Sequence, residues 1–404
     1  MNDYIDSVPF LALLVGCLII LSILLRAWFA RTNIPALVGF LALGFVLRLA
    51  DDKWHIFGEH GTSIFEFLAD IGIIVLLFRV GLESNLHGLV DKLPRALPIW
   101  IGNVVLSGVP GFFVAYSLLG VALIPSLFVA TALTATSIAV SVAIWQEAGM
   151  LNSANGELLV DVAALDDVSG IALMALLLAL APALHTGNNS ALTSLVLESG
   201  ALFIGKAVLF GAFCLLFARY GEDMITQFIK NADAPDPILF VLGTGIAIAA
   251  IAGFMGFPLA IGALFAGLVF SRDPSVVHLE TLFLPLYDFF MPFFFIGIGL
   301  KIDPSSLAAA SVLGGVLFIV AVAGKVIGAG VPALLGTGIA GAAAIGISMV
   351  PRAEIALVVM QEGRSLGDWA VPAEIFAAMV LVSALSCILA PLAAVKLLRR
   401  YPQH

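Results

Sequence analysis

The chain has 404 residues, of which 61% are hydrophobic and only 11% are charged, and its formal net charge is −9. Soluble domains carry about 25% charged residues, so this composition excludes an ordinary soluble protein and indicates one that crosses a membrane many times. Most acidic residues fall in apolar runs or short loops, so the net charge says little about partners. We expect the lipid bilayer among them and no nucleic acid.

Apolar runs long enough to cross a bilayer follow one another along the chain, since a crossing takes roughly 20 helical residues. The first run has no basic residues before it, which predicts a retained helix rather than a cleaved signal. We predict about thirteen spans, near residues 7–29, 33–49, 63–83, 97–118, 122–146, 153–183, 191–218, 236–254, 257–271, 279–300, 305–334, 337–361 and 370–396.

Lys and Arg residues between these spans are unevenly distributed over alternate loops. Loops that stay in the cytoplasm are enriched in basic residues. Most of these Lys and Arg residues lie on the cytoplasmic side when the N-terminus is outside and the C-terminus is in the cytoplasm. We therefore predict this orientation.

The segment I-P-A-L-V-G-F-L-A-L-G-F-V-L at 34–47 is repeated in F-P-L-A-I-G-A-L-F-A-G-L-V-F at 257–270, which aligns Gly44 with Gly267. Two such segments in one chain are typical of an internal duplication.

A second match follows in the same order. D-I-G-I-I-V-L-L-F-R-V-G-L begins at Asp70 and D-F-F-M-P-F-F-F-I-G-I-G-L begins at Asp288, so that Gly81 aligns with Gly299. We interpret the two aspartates as gates or as ties between helices. The paired spans lie seven spans apart, and an odd offset turns the second copy upside down in the membrane.

Inverted repeats of this kind are typical of secondary transporters, which bind their substrate near the membrane midplane between interrupted helices. We therefore predict a single transmembrane transporter domain over residues 1–404. The first repeat spans 1–183, a linker helix spans 184–235, and the second repeat spans 236–404. We expect no soluble regulatory domain.

Charged residues lie deep inside two spans. Asp166 and Asp167 occur in A-A-L-D-D-V-S-G-I-A, and Lys325 occurs in V-A-G-K-V-I-G-A-G. The aspartates lie roughly 20 Å along their helix, close to the middle of the bilayer. Because each such charge costs a few kcal/mol in lipid, the three residues should face one another or a water-filled cavity.

Adjacent residues on a helix point about 100° apart, so Asp166 and Asp167 cannot share one partner. We expect one of them to pair with Lys325 and the other to be open to water, where it holds either a proton or a cation. The alternative is that the ion pair only joins two helices, which leaves the second aspartate unexplained.

Polar interruptions occur in two other spans. T-A-L-T-A-T-S-I at 131–138 and M-V-P-R-A-E-I at 349–355 occupy equivalent positions in the two repeats, because the repeat offset carries Thr134 onto Arg352. We predict that both helices are broken there and that the breaks meet near the midplane.

Hydroxyl and carbonyl oxygens at such breaks can replace the hydration shell of a small cation. Thr134, Thr136 and Ser137 are our candidates for contact with the ion. Hydroxyls that bond their own helix are the common alternative. Pro351 and the neighbourhood of Arg352 and Glu354 are expected to break their own span and to compensate its dipole ends.

Together, A-L-D-D-V, V-A-G-K-V-I-G and P-R-A-E resemble motifs of the bacterial monovalent cation:proton antiporters, in the branch of sodium/proton exchangers and Kef-type transporters. The resemblance covers essentially the whole chain. It implies that Asp167 is the ion-binding carboxylate and alternate proton acceptor, and that Asp166 pairs with Lys325. It also implies that Thr134 helps Asp167 to bind the cation.

The resemblance further implies a homodimer in the bacterial inner membrane, with spans one to three and eight to ten as a scaffold and the remaining spans of both repeats as a moving core. It implies electrogenic exchange of Na⁺, or of K⁺ or Li⁺, for protons. We expect no cofactor besides these transported ions.

Two other functions remain open at the level of sequence. A sodium-coupled symporter of an organic anion would use a similar broken-helix core but would not need Lys325. An intramembrane aspartyl protease needs two aspartates on facing helices; Tyr287 and Asp288 offer one half of that signature, but Leu300 stands where the second aspartate should be.

Overall fold

The computed structural model describes residues 7–31, 34–83, 86–186, 201, 205–206, 208–217, 237–255, 257, 259–270 and 279–400. Over these ranges the regular secondary structure is helical, as predicted from the apolar runs. Helices suit a membrane protein because they satisfy every backbone hydrogen bond within one segment.

Most of the helices begin and end close to the predicted spans; the exception is the fourth helix, which begins at Leu86 although its span was predicted from residue 97. The helices are α1 (Val8–Phe29), α2 (Ala36–Trp54), α3 (Glu59–Glu83), α4 (Leu86–Phe113), α5 (Leu123–Thr134), α6 (Ile138–Glu147), α7 (Ala154–Thr186), α8 (Pro237–Phe254), α9 (Leu259–Phe270), α10 (Leu279–Leu300), α11 (Leu307–Ser348), α12 (Glu354–Ser365) and α13 (Ala373–Arg400).

Among the described residues, five helical stretches are long and apolar enough to cross a membrane: Val8–Phe29, Pro94–Leu118, Ala154–His185, Pro304–Ser348 and Ala373–Arg400. Several shorter apolar helices accompany them. The predicted span at 191–218 lies mostly outside the described residues, so the number of spans stays a prediction.

Helix α11 is divided at Gly338. Its 42 residues would extend roughly 60 Å, twice the hydrocarbon thickness of a bilayer. Gly338 has φ 69° and ψ 176°, a conformation that only glycine adopts readily. The two predicted spans at 305–334 and 337–361 therefore meet at this residue.

The helices pack as two units, each of which combines segments from both sequence repeats. The first unit comprises Met1–Leu24, Phe40–Leu86 and Asn189–Leu300; the second comprises Leu25–Gly39, His87–Asn188 and Lys301–His404. The two packed units therefore do not correspond to the two sequence repeats and their linker, because each unit contains parts of both repeats.

Two close glycine contacts in the first unit follow the duplication. A Cβ atom added to Gly44 would lie 2.9 Å from the Cα of Gly299, and one added to Gly267 would lie 2.8 Å from the Cα of Gly81. The sequence alignment pairs Gly44 with Gly267 and Gly81 with Gly299, so the repeat relation converts each contact into the other. This exchange is what a two-fold relation between the copies requires.

In the second unit, glycines also bring α4 against α11. A Cβ atom added to Gly102 would lie 2.5 Å from the carbonyl oxygen of Gly328, and one added to Gly324 would lie 2.5 Å from that of Leu106. Larger side chains would separate the two helices. This close approach puts the middle of α4 next to the turn of α11 that carries Lys325.

Candidate functional site

Both predicted helix breaks are present. Helix α5 ends at Thr134 and α6 begins at Ile138, while α11 ends at Ser348 and α12 begins at Glu354. Pro351 contributes to the second break because proline disfavours a helical conformation in the residue before it.

The two breaks lie side by side. The backbone N–H of Ser137 donates to the carbonyl oxygen of Pro351, 2.8 Å away. One turn further along α6, the hydroxyl of Ser141 donates to the carbonyl oxygen of Ser348 at 2.7 Å. The equivalent interruptions of the two repeats are thus joined by hydrogen bonds inside the second unit.

Arg352 caps the open end of α5. Its buried guanidinium donates from Nη2 at 2.9 Å and from Nε at 3.3 Å to the carbonyl oxygen of Leu133, and also to the carbonyls of Val350 and Ala321. The last carbonyls of a helix lack intrahelical donors and carry partial negative charge. Arg352 therefore compensates the end of α5, which belongs to the other broken span, whereas the sequence pattern predicted that it would compensate the ends of its own span.

Lys325 and Asp166 form a buried ion pair. The Nζ of Lys325 lies 2.9 Å from Oδ2 of Asp166, and both side chains have 0% exposure. The same Nζ donates at 2.6 Å to the carbonyl oxygen of Thr134 and at 2.6 Å to the hydroxyl of Thr136. Its three N–H donors are thereby satisfied, which a buried ammonium requires.

The Oδ2 atom of Asp166 accepts hydrogen bonds from residues on three segments of the chain. Besides Lys325 on α11, the hydroxyl of Thr136 donates to it at 2.6 Å from the first break, and the side-chain amide of Asn103 donates to it from α4. Sequence reasoning missed Asn103, which is completely buried. The available signal was a side-chain amide near the middle of an apolar span.

Asp167 has different surroundings from Asp166. It is 4% exposed, and its buried Oδ1 makes no hydrogen bond. The expectation that the second aspartate is open to water is therefore wrong for this conformation. Helix α7, which carries Asp167, is packed against both α5 and α12.

Glu354 adds a second acidic group to this neighbourhood. It begins α12, and its Oε2 accepts a hydrogen bond of 2.8 Å from the hydroxyl of Ser137. Among the described residues, Glu354, Asp166 and Lys325 are near enough to Asp167 for their charges to act on it. Carboxylate and hydroxyl oxygens are the kind of ligand that a small hard cation prefers.

The hydroxyl of Thr134 donates to the carbonyl oxygen of Thr131 at 2.8 Å, which is the common bonding of a helical threonine to its own helix. Its carbonyl oxygen accepts from Lys325. Both oxygens are already engaged, so a role for Thr134 as a cation ligand stays a prediction.

Asp70 and Asp288 belong to the first unit and not to the unit that contains the ion pair. Asp70 is an exposed residue of α3, and Asp288 is a half-buried residue of α10. In the same unit, the guanidinium of Arg79 lies 4.4 Å from the ring centre of Tyr287. A gating role for the two aspartates stays a prediction.

Comparison with known proteins shows similarity to one family along nearly the whole chain. The family model described as sodium/hydrogen exchanger, transmembrane, matches residues 17–400. The high-affinity Na⁺/H⁺ antiporter NhaS3 of Synechocystis is 30% identical over 316 residues, which are 76% of this chain and 66% of that protein. The Na⁺/H⁺-K⁺ antiporter GerN of Bacillus cereus is 27% identical over 364 residues, which are 89% of each chain.

Among solved structures, the sodium proton antiporter MjNhaP1 of Methanocaldococcus jannaschii matches with a TM-score of 0.66 over 97% of this chain and 96% of that one, at 16% identity. This match confirms the predicted antiporter fold. An intramembrane protease is excluded, because the family consists of transporters. Since the family model covers nearly all of the sequence, the chain belongs to the sodium/hydrogen exchanger family of monovalent cation:proton antiporters.

Proposed function

We propose that this protein exchanges a monovalent cation for protons, and that the cation and the proton compete for Asp167. The observation that carries the proposal is the difference between two adjacent carboxylates. Oδ2 of Asp166 forms an ion pair with Lys325 and accepts two further hydrogen bonds, whereas Asp167, which is buried, forms no ion pair within the part of the chain that the structure describes. A buried carboxylate of this kind is stabilised by taking up a proton or a cation.

Competition follows from the charges. The pair of Asp166 and Lys325 is neutral overall, so an ionised Asp167 leaves an uncompensated negative charge in the interior. Moving such a charge through the membrane costs several kcal/mol. The ion-binding unit therefore moves between the two sides of the membrane only when Asp167 holds a proton or a cation. Asp167 never holds both at once.

The exchange is expected to be electrogenic. If two protons replace one monovalent cation, one net charge crosses in each cycle, which couples transport to the membrane potential by about 2.3 kcal/mol per 100 mV. Asp167 binds one proton, and the pair of Asp166 and Lys325 provides the second proton-binding position.

The candidate ligands of the cation lie on three elements that meet at the breaks. We propose Asp167, Glu354 and Ser137 as its nearest oxygens. Thr136 acts through Asp166, because its hydroxyl accepts from Lys325 and donates to Asp166. Na⁺ is our first candidate, and the names of the relatives, which include both Na⁺ and K⁺, support testing K⁺ as well.

Alternating access of the elevator type fits the packing of the chain. The residues that we propose for ion binding all belong to the second unit, so this unit can carry its ion as one body. A homodimer in the bacterial cell membrane, with the N-terminus outside and the C-terminus in the cytoplasm, completes the proposal.

The test is cation-driven proton flux in proteoliposomes that contain a pH-reporting dye. Na⁺, K⁺ and Li⁺ are added outside in turn, with the membrane potential clamped. We expect a pH change that Asp167→Asn abolishes and Glu374→Gln retains, because Glu374 is exposed at the start of α13.

Full coupled exchange by Asp167→Asn would refute the role of Asp167. A wild-type protein that changes the internal pH with none of the three cations would refute antiport and favour a sodium-coupled symporter of an organic anion. An unchanged rate under an imposed potential would refute electrogenic exchange.

A further inference from the structure

The last helix, α13, carries three polar side chains on one face near the middle of an apolar span. Ser383, Ser386 and Cys387 are separated by three and four residues, a spacing that puts them on the same side of a helix. All three are buried, with at most 1% exposure. Serine hydroxyls in helices commonly bond to their own backbone, so buried hydroxyls that bond to another segment call for an explanation.

These side chains bind the second break. The hydroxyl of Ser383 donates to the carbonyl oxygen of Arg352 at 2.6 Å, and the thiol of Cys387 donates to the same oxygen at 3.3 Å. The backbone N–H of Arg352 donates to the hydroxyl of Ser386 at 3.0 Å. Both backbone polar groups of Arg352 are therefore bound by side chains of α13.

The carbonyl of Arg352 matters because of its place in the chain. Its peptide bond joins Arg352 to Ala353, and α12 begins directly afterwards at Glu354. Ala353 is the N-cap residue of α12 and makes no side-chain cap, since its methyl group cannot accept a hydrogen bond from the first turn. The position of the first turn of α12 therefore depends on the Arg352 peptide that α13 binds.

The first repeat contains a comparable contact. Asp166 on α7, the last helix of that repeat, accepts a hydrogen bond from Thr136 in the first break. The repeat offset carries Asp166 onto Ala384, the neighbour of Ser383. In each repeat, a buried polar side chain of the last helix thus bonds to the break of its own repeat.

We propose that Ser383 is a positioning residue for cation binding: its hydroxyl fixes the peptide that precedes α12, so that the carboxylate of Glu354 lies where the cation binds. This inference rests on the proposed function, because it takes Glu354 as a ligand of the transported cation. Without the hydroxyl, the first turn of α12 moves more freely, and Glu354 is correctly placed for a smaller fraction of the time. The apparent affinity for the cation falls by that fraction.

The first measurement, which does not require transport, is hydrogen exchange of the backbone amides over residues 352–358 in purified protein. It compares Ser383→Thr with Ser383→Val, because threonine and valine have nearly the same shape and differ by the hydroxyl. We expect exchange about fivefold faster in Ser383→Val, the effect of one lost hydrogen bond. Ser383→Ala adds no volume and should behave as Ser383→Val does; it is compared with wild type if the larger side chains prevent folding.

The second measurement is cation-driven proton flux of the same variants in proteoliposomes. We expect the apparent KM for the cation to be about fivefold higher in Ser383→Val than in Ser383→Thr, with maximal rates within about twofold of each other. The control is Ser311→Ala, because Ser311 is exposed and its hydroxyl bonds to the carbonyl oxygen of Leu307 in its own helix. It should match wild type in both measurements.

Each outcome decides a different point. Equal exchange rates in Ser383→Thr and Ser383→Val would overturn the positioning role. Faster exchange in Ser383→Val with an unchanged KM, or a loss of maximal rate alone, would overturn its connection to cation binding. If wild-type protein transports protons with none of the cations, the proposed function fails, and the exchange rates still decide whether Ser383 fixes the second break.

Discussion

Replacing Lys325 by methionine removes the positive member of the buried pair while keeping a side chain of similar length. The wild-type ammonium makes contacts of 2.9 Å with Asp166, 2.6 Å with the carbonyl of Thr134 and 2.6 Å with the hydroxyl of Thr136. Lys325→Met leaves the Asp166 carboxylate buried with only hydrogen-bond donors around it.

The expected cost follows from that loss. Removing one partner of a buried pair typically costs 3–5 kcal/mol, whereas replacing both partners by neutral groups is often nearly neutral. Because Asn103 and Thr136 still donate to Asp166, we expect the lower end, about 3 kcal/mol of unfolding free energy. In a chain of 404 residues that loss lowers the melting temperature by about 3.5 °C.

The assay is thermal unfolding of detergent-solubilised protein for Lys325→Met, Asp166→Asn/Lys325→Met and the control Lys396→Met. Lys396 is exposed on α13, so its replacement should leave the melting temperature unchanged. The double variant should recover to within about 2 °C of wild type. A single variant as stable as wild type, or a double variant no more stable than the single one, would refute the reasoning.

Three further predictions concern the surroundings of the pair and the duplicated packing. Asp167→Asn should unfold at a temperature equal to or above that of wild type, because the amide removes a buried charge whose Oδ1 makes no hydrogen bond. A lower melting temperature would contradict this. Arg352→Gln should lower the free energy of unfolding by about 3 kcal/mol, since several buried carbonyls lose their donor; denaturation in detergent measures the loss, and an unchanged stability would count against the capping role. Gly44→Ala and Gly267→Ala should each destabilise by about 1–3 kcal/mol, because the added Cβ would lie 2.1 Å from a backbone carbonyl oxygen in both cases. Gly16→Ala, with nothing within 4 Å of the added atom, is their control, and clearly unequal effects at the two repeat positions would argue against equivalent contacts.

Much of the fold could be predicted from local sequence. Apolar length predicts helices that cross a bilayer, and the interruptions at 131–138 and 349–355 are visible because hydroxyl, proline and charged residues are uncommon in such spans. Charges as deep as Asp166, Asp167 and Lys325 identify a functional region, since the cost of placing them in lipid demands a reason.

Other features depended on contacts between distant segments. The sequence contains no local sign that Asn103 donates to Asp166, because nothing near an amide in the chain specifies its partner on another helix. The same holds for the burial of Asp167, which was expected to be open to water. Its exposure is set by how α5 and α12 pack against α7, and not by its own neighbours in the sequence.

The sequence by itself determined that this is a helical membrane protein with an internal duplication, two broken helices and a small set of buried charges. These properties follow from composition, period and spacing along one chain. Only the tertiary structure decided which oxygen of Asp166 accepts the hydrogen bonds from Lys325, Thr136 and Asn103. It also decided which glycines of the two repeats are in contact. Such choices depend on side-chain directions and helix separations of a few ångströms, which arise only when several helices pack together.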